Sequence, residues 1–340
     1  MKFRIFTALM VFFCTLHGNT VLARTYTIGM TSWAGWSPAS VAAARGFWKQ
    51  EGIDVRVVTT PSPRTTFSLF KNRLIDISFE MIGSQIGFYM DGLPVVILAE
   101  TNWSHGGDKI IMKTGSDQDL LIKNPIGVYL NAPSITFFLD RYLSSQGLKL
   151  SDTRVVEMAP KKLTKFFISG RFSAIVSYAP EAMRALSGGH SRVVATSATC
   201  EGCIPEGMMA LEDVLAKMPQ EDLVRIFRGW IRAARWCRQP ENWGRYSEIL
   251  SRRTFEGDSP HSDEDLREMV SSVRIHDART LSERNRDGGG LYAWLVRLRD
   301  FLKRNQMLKK DFDPRRVFDN RAILEALRTG VTDTPEGLKQ

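Results

Sequence analysis

The sequence lacks the motifs that mark nucleotide-binding and hydrolytic enzymes. No GxGxxG, Walker, HExxH or GxSxG motif follows any of its predicted strands, although those chemistries depend on such motifs there. The four cysteines and five histidines include no second CxxC and no histidine pair at metal-ligand spacing, which argues against a zinc site. These absences favour binding over catalysis, so we expect no enzyme activity and no resident cofactor.

The sequence also has no basic run with interleaved aromatic residues. Lys and Arg number 46 against 37 Asp and Glu, which gives a net charge of +9. These charges are scattered, whereas nucleic-acid binding needs a clustered basic patch. We therefore expect no nucleic-acid partner. Hydrophobic residues make up 43% of the 340 positions, which is enough for a large core, and the length favours two domains.

The first residues have the pattern of a secretory signal peptide. Lys2 and Arg4 give a positive start, and Ile5–Phe13 is apolar but too short to span a bilayer. Val21–Ala23 then ends in the small residue of a cleavage site. A buried N-terminal helix is the alternative, and the charge and length fit it poorly. We expect cleavage near Ala23 and a mature chain in the periplasm.

Short apolar runs alternate with helical segments from Thr25 to about Thr196. This alternation is typical of βαβ crossovers and parallel sheets, so the predicted fold class is α/β. The predicted strands are Thr25–Gly29, Asp54–Thr59, Ile75–Glu80, Val95–Leu98, Ile110–Met112, Ile126–Leu130, Arg154–Glu157, Ala174–Tyr178 and Arg192–Ala195. The helices between them include Pro38–Glu51, Arg64–Asn72, Ser84–Asp91, Ser134–Gln146 and Lys161–Ser169.

The alternating elements form two similar series, which implies two lobes with a cleft between them. We expect lobe 1 to begin in residues 24–107 and lobe 2 to occupy residues 108–198. Residues 199–340 have mainly helical periodicity, with apolar residues on one face of a helix near 223–234. They are predicted to return to lobe 1 and cover it with C-terminal helices.

Loops after the strands hold the candidate site, because ligands of open parallel sheets bind beyond the carboxyl ends of the strands. Two Trp residues in one loop are costly to expose, so we expect Trp33 or Trp36 to stack on a ligand, with packing at the hinge or in the core as the alternative. Glu80 is predicted to meet a cationic or donor-rich group, unless a nearby Lys or Arg pairs with it. Further candidates in these loops of lobe 1 are Ser84, Asn102 and Trp103.

The loops of lobe 2 add a possible anion site and a second aromatic. A helix start offers free amides and the positive end of its dipole. We therefore expect the helix start at Asn131 and Ser134 to contact an anionic group. Simple capping by Ser134 is the alternative. Tyr178 and Glu181 follow the next strand in a similar arrangement, with a proline opening the helix.

Three cysteines follow the predicted cleavage site. Cys200 and Cys203 could close a small loop, and export permits a disulfide between them. A proline two residues beyond Cys203 argues against a catalytic redox pair. Cys237, the third cysteine, is not part of this pair. It lies on an apolar helical face, so we predict a buried thiol there.

Several segments, in order, carry a family resemblance. WAGWSPASVAAARGFWKQEGIDVRVV resembles the opening of the nitrate, sulfonate, taurine and thiamine-pyrimidine group of periplasmic ABC-transporter substrate-binding proteins. LIDISFEMIGSQIGFYMDGLPVVILAE, PIGVYLNAPSITFFLDRYLSSQGLKLSDTRVVEMAP, FFISGRFSAIVSYAPEAMRAL and FDNRAILEAL continue it over nearly the whole chain. The resemblance implies a periplasmic binding protein type II fold, in which two hinged lobes close on a small molecule. By position it assigns ligand contact to the loops at 33–36, 83–85, 102–104, 131–136 and 178–181.

We therefore expect an extracytoplasmic solute-binding protein for a sulfonate, an amine or a pyrimidine-like molecule. The resemblance implies delivery to the permease of an ABC importer, and we expect a monomer. One alternative is an exported ligand-sensing protein that presents its ligand to a membrane receptor. The other is an enzyme on the same fold, but the enzymes of this resemblance carry a cysteine-rich iron motif that the chain lacks.

Overall fold

The fold is built on two β-sheets, and the computed structural model describes residues 24–330 apart from 117 and 189. The predicted signal peptide lies outside these described residues. The strands are β1 Thr25–Thr31, β2 Asp54–Thr60, β3 Ile77–Met81, β4 Val95–Ser104, β5 Asp108–Lys113, β6 Ile126–Val128, β7 Val155–Glu157, β8 Ala174–Tyr178, β9 Ser191–Thr196, β10 Pro205–Leu211 and β11 Val273–Ile275.

Helices connect the strands and form most of the second half of the chain. They are α1 Ser37–Arg45, α2 Phe47–Gln50, α3 Pro63–Lys71, α4 Ile82–Met90, α5 Gln118–Lys123, α6 Pro133–Ser145, α7 Pro160–Ile168, α8 Glu181–Gly188, α9 Glu212–Leu215, α10 Gln220–Cys237, α11 Trp243–Ile249, α12 Asp263–Ser271, α13 Ala278–Asn285, α14 Gly290–Arg304 and α15 Arg321–Arg328. The α/β class predicted from the sequence is confirmed.

The chain passes from one sheet to the other and back. The first sheet has six strands in the order β11-β4-β10-β3-β1-β2, and the second has five in the order β7-β6-β8-β5-β9. The chain crosses between β4 and β5 and returns between β9 and β10. Ser104 and Ser197 lie at these two crossings, and their hydroxyl oxygens are 2.8 Å apart in a buried hydrogen bond.

The expectation of purely parallel sheets is wrong. β1 pairs in parallel with β2 and β3, but β10 is antiparallel to both β3 and β4. In the second sheet β5 is antiparallel to β8 and β9. β5 and β10 each follow a crossing, and β11, which pairs antiparallel with β4, is reversed as well. A strand that enters from the other sheet needs no βαβ connection, and so it is free to run antiparallel.

Local sequence signals set several helix boundaries. Ser62 accepts a hydrogen bond from the Thr65 amide at 3.2 Å, and Pro63 occupies the first position of α3, the usual residues for a helix start. The single helix predicted for Pro38–Glu51 is instead two helices, because Gly46 between them has a φ of 68°. Such a left-handed residue ends a helix, and glycine adopts it without strain.

The core of the first sheet extends into the C-terminal helices. The indole of Trp48 lies against Gly229 of α10, where a Cβ atom would be only 2.1 Å from the ring, and its Nε1 donates to the Ile226 carbonyl at 3.0 Å. Helix α14 instead packs against α6, because Phe137 of α6 lies edge-on to Trp294 and Phe301 of α14. The long helices are amphipathic, and within the described part of the chain no helix has the length and apolarity to span a membrane.

Candidate functional site

A cavity lies between the two sheets and is lined from both of them. The space between the lining residues is about 430 Å³, which includes the part that is open to solvent. The first sheet contributes residues that follow β1 or belong to β3 and β10, and the second contributes residues of β5, β8 and the turn after β6. The lining residues are Thr31, Ser32, Trp33, Trp36, Pro63, Glu80, Met81, Asp108, Tyr129, Leu130, Tyr178 and Glu206.

Three carboxyl groups from three different strands face this cavity. Glu80, Asp108 and Glu206 are 7%, 2% and 3% exposed. Acidic side chains are seldom buried to this extent without a cationic partner. None of the three forms an ion pair with a described residue, and the lining contains no Lys, Arg or His. The site therefore concentrates acceptors and potential negative charge.

Hydrogen bonds hold these carboxyl groups in place. The Oε2 atom of Glu206 accepts from the indole Nε1 of Trp33 at 2.6 Å and from the amide nitrogen of Asn102. The Oε1 atom of Glu80 accepts from the backbone N–H of Met81 at 2.9 Å. The Tyr129 hydroxyl donates to Oδ1 of Asp108 at 2.6 Å.

The backbone of β10 brings Glu206 beside Glu80. Gly207 pairs with Glu80 on β3 and with Glu100 on β4, at a point where the pairing with β4 shifts by one residue. A Cβ atom on Gly207 would lie 1.9 Å from the carbonyl oxygen of Ala99. Only glycine permits this close approach, and the irregularity re-aims the preceding side chain toward the cavity.

Burial raises the pKa of each of these acids. It raises the pKa of Glu80 to about 7, and the hydrogen bond from the Met81 N–H opposes the rise only in part. The pKa of Glu206 is raised well above its ordinary value, first by burial and then by the nearby Asp108. Burial also raises the pKa of Asp108, while the hydrogen bonds to its carboxyl group and the charge of Lys109 act against that rise. Ionised carboxylates are therefore disfavoured in the cavity without a cation.

Aromatic rings form the walls. Tyr178 lies edge-on to Trp33 with ring centroids 6.0 Å apart, and edge-on to Tyr129 at 4.7 Å. Trp36 is 5% exposed and stacks on Phe79 at 5.9 Å. Trp33 is thus a wall of the cavity that is held by Glu206, whereas Trp36 is mostly a core residue with one edge in the lining.

Four of the predicted site residues line this cavity directly, and Asn102 supports it from behind. The four are Trp33, Trp36, Glu80 and Tyr178. Asn102 is fully buried and contacts the cavity only through Glu206. Ser84 and Asn131 lie outside it, in a neighbouring groove that shares Glu80 with the cavity.

The start of α6, where the sequence predicts an anion site, lies beside the cavity and not in its lining. Ser134 is fully buried, and its hydroxyl oxygen accepts from the backbone N–H of Gly83 at 3.0 Å. A Cβ atom on Gly83 would be 2.3 Å from the Ser134 nitrogen. The start of α6 is therefore packed against α4 and does not line the cavity. Asn131 is exposed, and its N–H donates to the Glu157 carboxylate at 3.1 Å.

Two further candidates are engaged elsewhere. Trp103 lies edge-on to His276 at 4.7 Å, beside a buried cluster in which Arg284 donates to both carboxylate oxygens of Glu100 at 2.8 Å. Glu181 forms an ion pair with Arg184 and lines a groove next to Trp33 and Tyr178. Neither is part of the cavity lining.

The structure adds Asp108, Tyr129 and Glu206 to the site. Asp108 is the first residue of β5, and nothing in the local sequence distinguishes it from its neighbours. Tyr129 directly follows β6, where the strand-end rule could have found it. Glu206 belongs to a strand that the sequence analysis missed altogether.

The described cysteines divide into a pair and a single thiol. Cys200 and Cys203 are joined in a disulfide. Cys237 is free and only partly exposed, and burial of its sulfur raises the pKa of the thiol to about 12. As for metals, no group of three His, Cys, Asp or Glu side chains in the described part of the chain is arranged to hold an ion.

Comparisons with known proteins place the chain. The model of the NMT1-like family matches residues 23–251. No curated protein matches significantly. Among solved structures, the periplasmic aliphatic sulphonate binding protein SsuA from Escherichia coli has 14% identity and a TM-score of 0.67, with 86% of this chain and 90% of that chain covered.

Two more solved structures have the same fold. The periplasmic nitrate-binding protein NrtA from Synechocystis PCC 6803 has 15% identity and a TM-score of 0.67, and the match covers 91% of this chain and 89% of that one. The CA3427 gene product of Candida albicans, described as having the generic periplasmic binding protein fold, has 14% identity and a TM-score of 0.62, with 90% and 94% covered. At these identities the likeness establishes the fold.

Proposed function

The chain belongs to the NMT1-like family, and from this premise we propose that it is an extracytoplasmic solute-binding protein. In this proposal a small organic molecule binds in the cavity between the two sheets and is delivered to the permease of an ABC importer. The protein acts in the periplasm as a monomer, after removal of residues 1–23. It performs no chemistry on its ligand.

The observation that carries this proposal is the position of the cavity. Its walls come from both sheets, so a ligand there touches Trp33 and Glu206 on one side and Tyr129 and Tyr178 on the other. Such a ligand favours the arrangement in which the two halves are close together, which is the basis of hinge closure. The relatives named for binding sulphonate and nitrate support a solute-binding role.

The two sheets are the two lobes of this proposal. Residues 24–107 and the segment with β10 and β11 form the first, and residues 108–198 form the second. The chain crosses between them twice, next to the buried Ser104–Ser197 hydrogen bond. Asp108 and Glu206 lie just past these crossings, so ligand contacts and hinge are adjacent. Closure around the ligand is therefore expected to move few residues.

A thermal-shift screen of small organic amines, sulfonates, pyrimidines and oxyanions tests the proposal. A ligand that binds only the native state raises the melting temperature with concentration. For any hit, Trp33→Ala should weaken binding about tenfold or more, since stacking and burial of one ring each contribute roughly 1–3 kcal/mol. The matched control is Trp243→Ala, because Trp243 lies outside the cavity and donates to Asp263. A screen without any hit would count against solute binding.

A further inference from the structure

We propose that the ligand of this cavity is an organic cation with N–H donors, such as a primary ammonium or amidinium group, and that sulfonates and other anions are excluded. This inference rests on the proposed solute-binding function and names the class of solute. It selects one of the ligand types that the sequence left open.

The first argument is the charge of the lining. Three carboxyl groups converge from β3, β5 and β10, and no cationic side chain lines the cavity. The nearest cation that acts on Asp108 is Lys109, whose ammonium group donates to the Gly106 carbonyl at 2.7 Å. An anion here would meet only acids and aromatic faces, whereas a cation would supply the charge that the three acids lack.

The second argument is the supply of hydrogen-bond acceptors. Both hydrogen bonds to Glu206 fall on its Oε2 atom, and no described protein group donates to Oε1. A ligand with several N–H donors would satisfy such an oxygen at short distance, because charge-assisted hydrogen bonds are the strongest kind. A neutral ligand without donors would leave it unsatisfied.

The third argument comes from the aromatic walls. Trp33, Tyr129 and Tyr178 surround the space in front of the carboxyl groups. Aromatic faces attract cations through their quadrupole and repel anions.

The fourth argument is that the cavity does not suit two other kinds of ligand, an anion bound at a helix start and a metal ion. The start of α6, which would offer amides to an anion, does not line this cavity, because Ser134 is buried against Gly83 and residues 131–133 line the neighbouring groove. A metal ion would need its ligands grouped around one point, and the described acids of the cavity are not grouped that closely. An organic molecule can span the separate carboxyl groups, which a single ion cannot.

Proton linkage gives the inference a distinctive signature. The groups facing the cavity are Glu80, Asp108, Tyr129, Tyr178 and Glu206, with Lys109 behind Asp108 and with Glu181 and Asp258 beyond Tyr178. Burial raises the pKa of the three acids and of both tyrosines. A bound cation favours the ionised acids, so its binding should release protons and tighten as pH rises. An anion would have the opposite effect.

The experiment compares three probes of similar shape on the mature chain, namely benzylammonium, benzyl alcohol and benzenesulfonate. Calorimetric titration in two buffers of different ionisation enthalpy measures both affinity and the protons exchanged. Methylammonium is included as a smaller cation. We expect the ammonium probes to bind with proton release, and the alcohol and sulfonate to bind at least about tenfold more weakly.

A charge-neutral variant completes the test. Glu206→Gln should weaken benzylammonium binding about tenfold or more and reduce the proton release, while the exposed Glu241→Gln should change neither. Tighter binding of benzenesulfonate, proton uptake, or no binding of either ammonium probe would overturn the inference. In the first of these cases solute binding itself would stand. Absence of any ligand in the wider screen would instead remove the proposed function.

Discussion

Replacement of Glu80 by Gln is predicted to make the protein more stable at alkaline pH. The Glu80 carboxyl is 7% exposed and has no ionic partner among the described residues, and burial raises its pKa from 4.5 to about 7. The folded chain therefore holds this proton over a pH range in which the unfolded chain has lost it. Stability from this group is fully present below the unfolded pKa and is lost as pH rises through about 7.

The size of the effect follows from the two pKa values. Each unit of difference between the two pKa values corresponds to about 1.4 kcal/mol. The free energy of unfolding of the wild type therefore falls by about 3 kcal/mol between pH 4 and pH 8 because of Glu80. Glu80→Gln removes this loss, because an amide does not ionise and its oxygen can still accept from the Met81 amide. The variant should thus gain about 3 kcal/mol over the wild type across that range.

Urea unfolding at several pH values measures this difference. Each variant is compared with the wild type at the same pH, so that contributions from other acids largely cancel. The exposed Glu241→Gln serves as a control whose difference from the wild type should not change with pH. A constant difference for Glu80→Gln from pH 4 to pH 8 would refute the reasoning. The same variant should bind benzylammonium less tightly, which separates the cost of the acid in folding from its use in binding.

Three other predictions concern packing, a buried ion pair and the cysteines. Gly83→Ala should lower the free energy of unfolding by about 1–3 kcal/mol, because its Cβ would meet the Ser134 backbone; Gly244→Ala, with open space around it, should change little in the same urea titration. Glu100→Gln should cost about 3 kcal/mol at neutral pH, since it leaves the Arg284 guanidinium without its buried carboxylate, and equal stability of variant and wild type would contradict this. Alkylation of the unreduced mature chain, which lacks residues 1–23 and with them Cys14, should modify one cysteine after unfolding and none before it, because Cys200 and Cys203 are paired and burial raises the pKa of Cys237 to about 12; mass spectrometry counts the modified thiols.

The helices and most strands could be predicted because their signals are local. Pro63 at the first turn of α3 and the run of apolar residues in β3 are visible within a few positions of sequence. β10 was missed for the opposite reason. Its seven residues, PEGMMAL, are all buried, so they show no alternation. They also begin with Pro and include Gly, which weaken a strand signal. Glu206 was lost together with the strand that carries it.

The place of the predicted anion site relative to the cavity depends on what lies in front of the helix. The sequence around Ser134 has the residues of a helix start, and α6 begins there as expected. Its exposed amides would suit an anion only if the space before them were open. Gly83, which is 51 residues away in the chain, covers Ser134, and residues 131–133 border the neighbouring groove instead of the cavity. No local pattern around Ser134 could reveal the neighbour, whereas Trp33 follows one strand and Glu80 lies near the end of another, and the sequence places both strand ends at one sheet edge.

The charge of the cavity runs against the charge of the whole chain, and the physics of screening explains how both can hold. A net charge of +9 would by itself speed the approach of anionic solutes from bulk solution. Exposed charges are screened over about 8 Å at physiological ionic strength, however, and affinity is set where water is excluded. There Glu80, Asp108 and Glu206 face one another with no described cation among the lining residues. The composition therefore bears on how fast a solute approaches, and we expect the three buried acids to decide which solute stays bound.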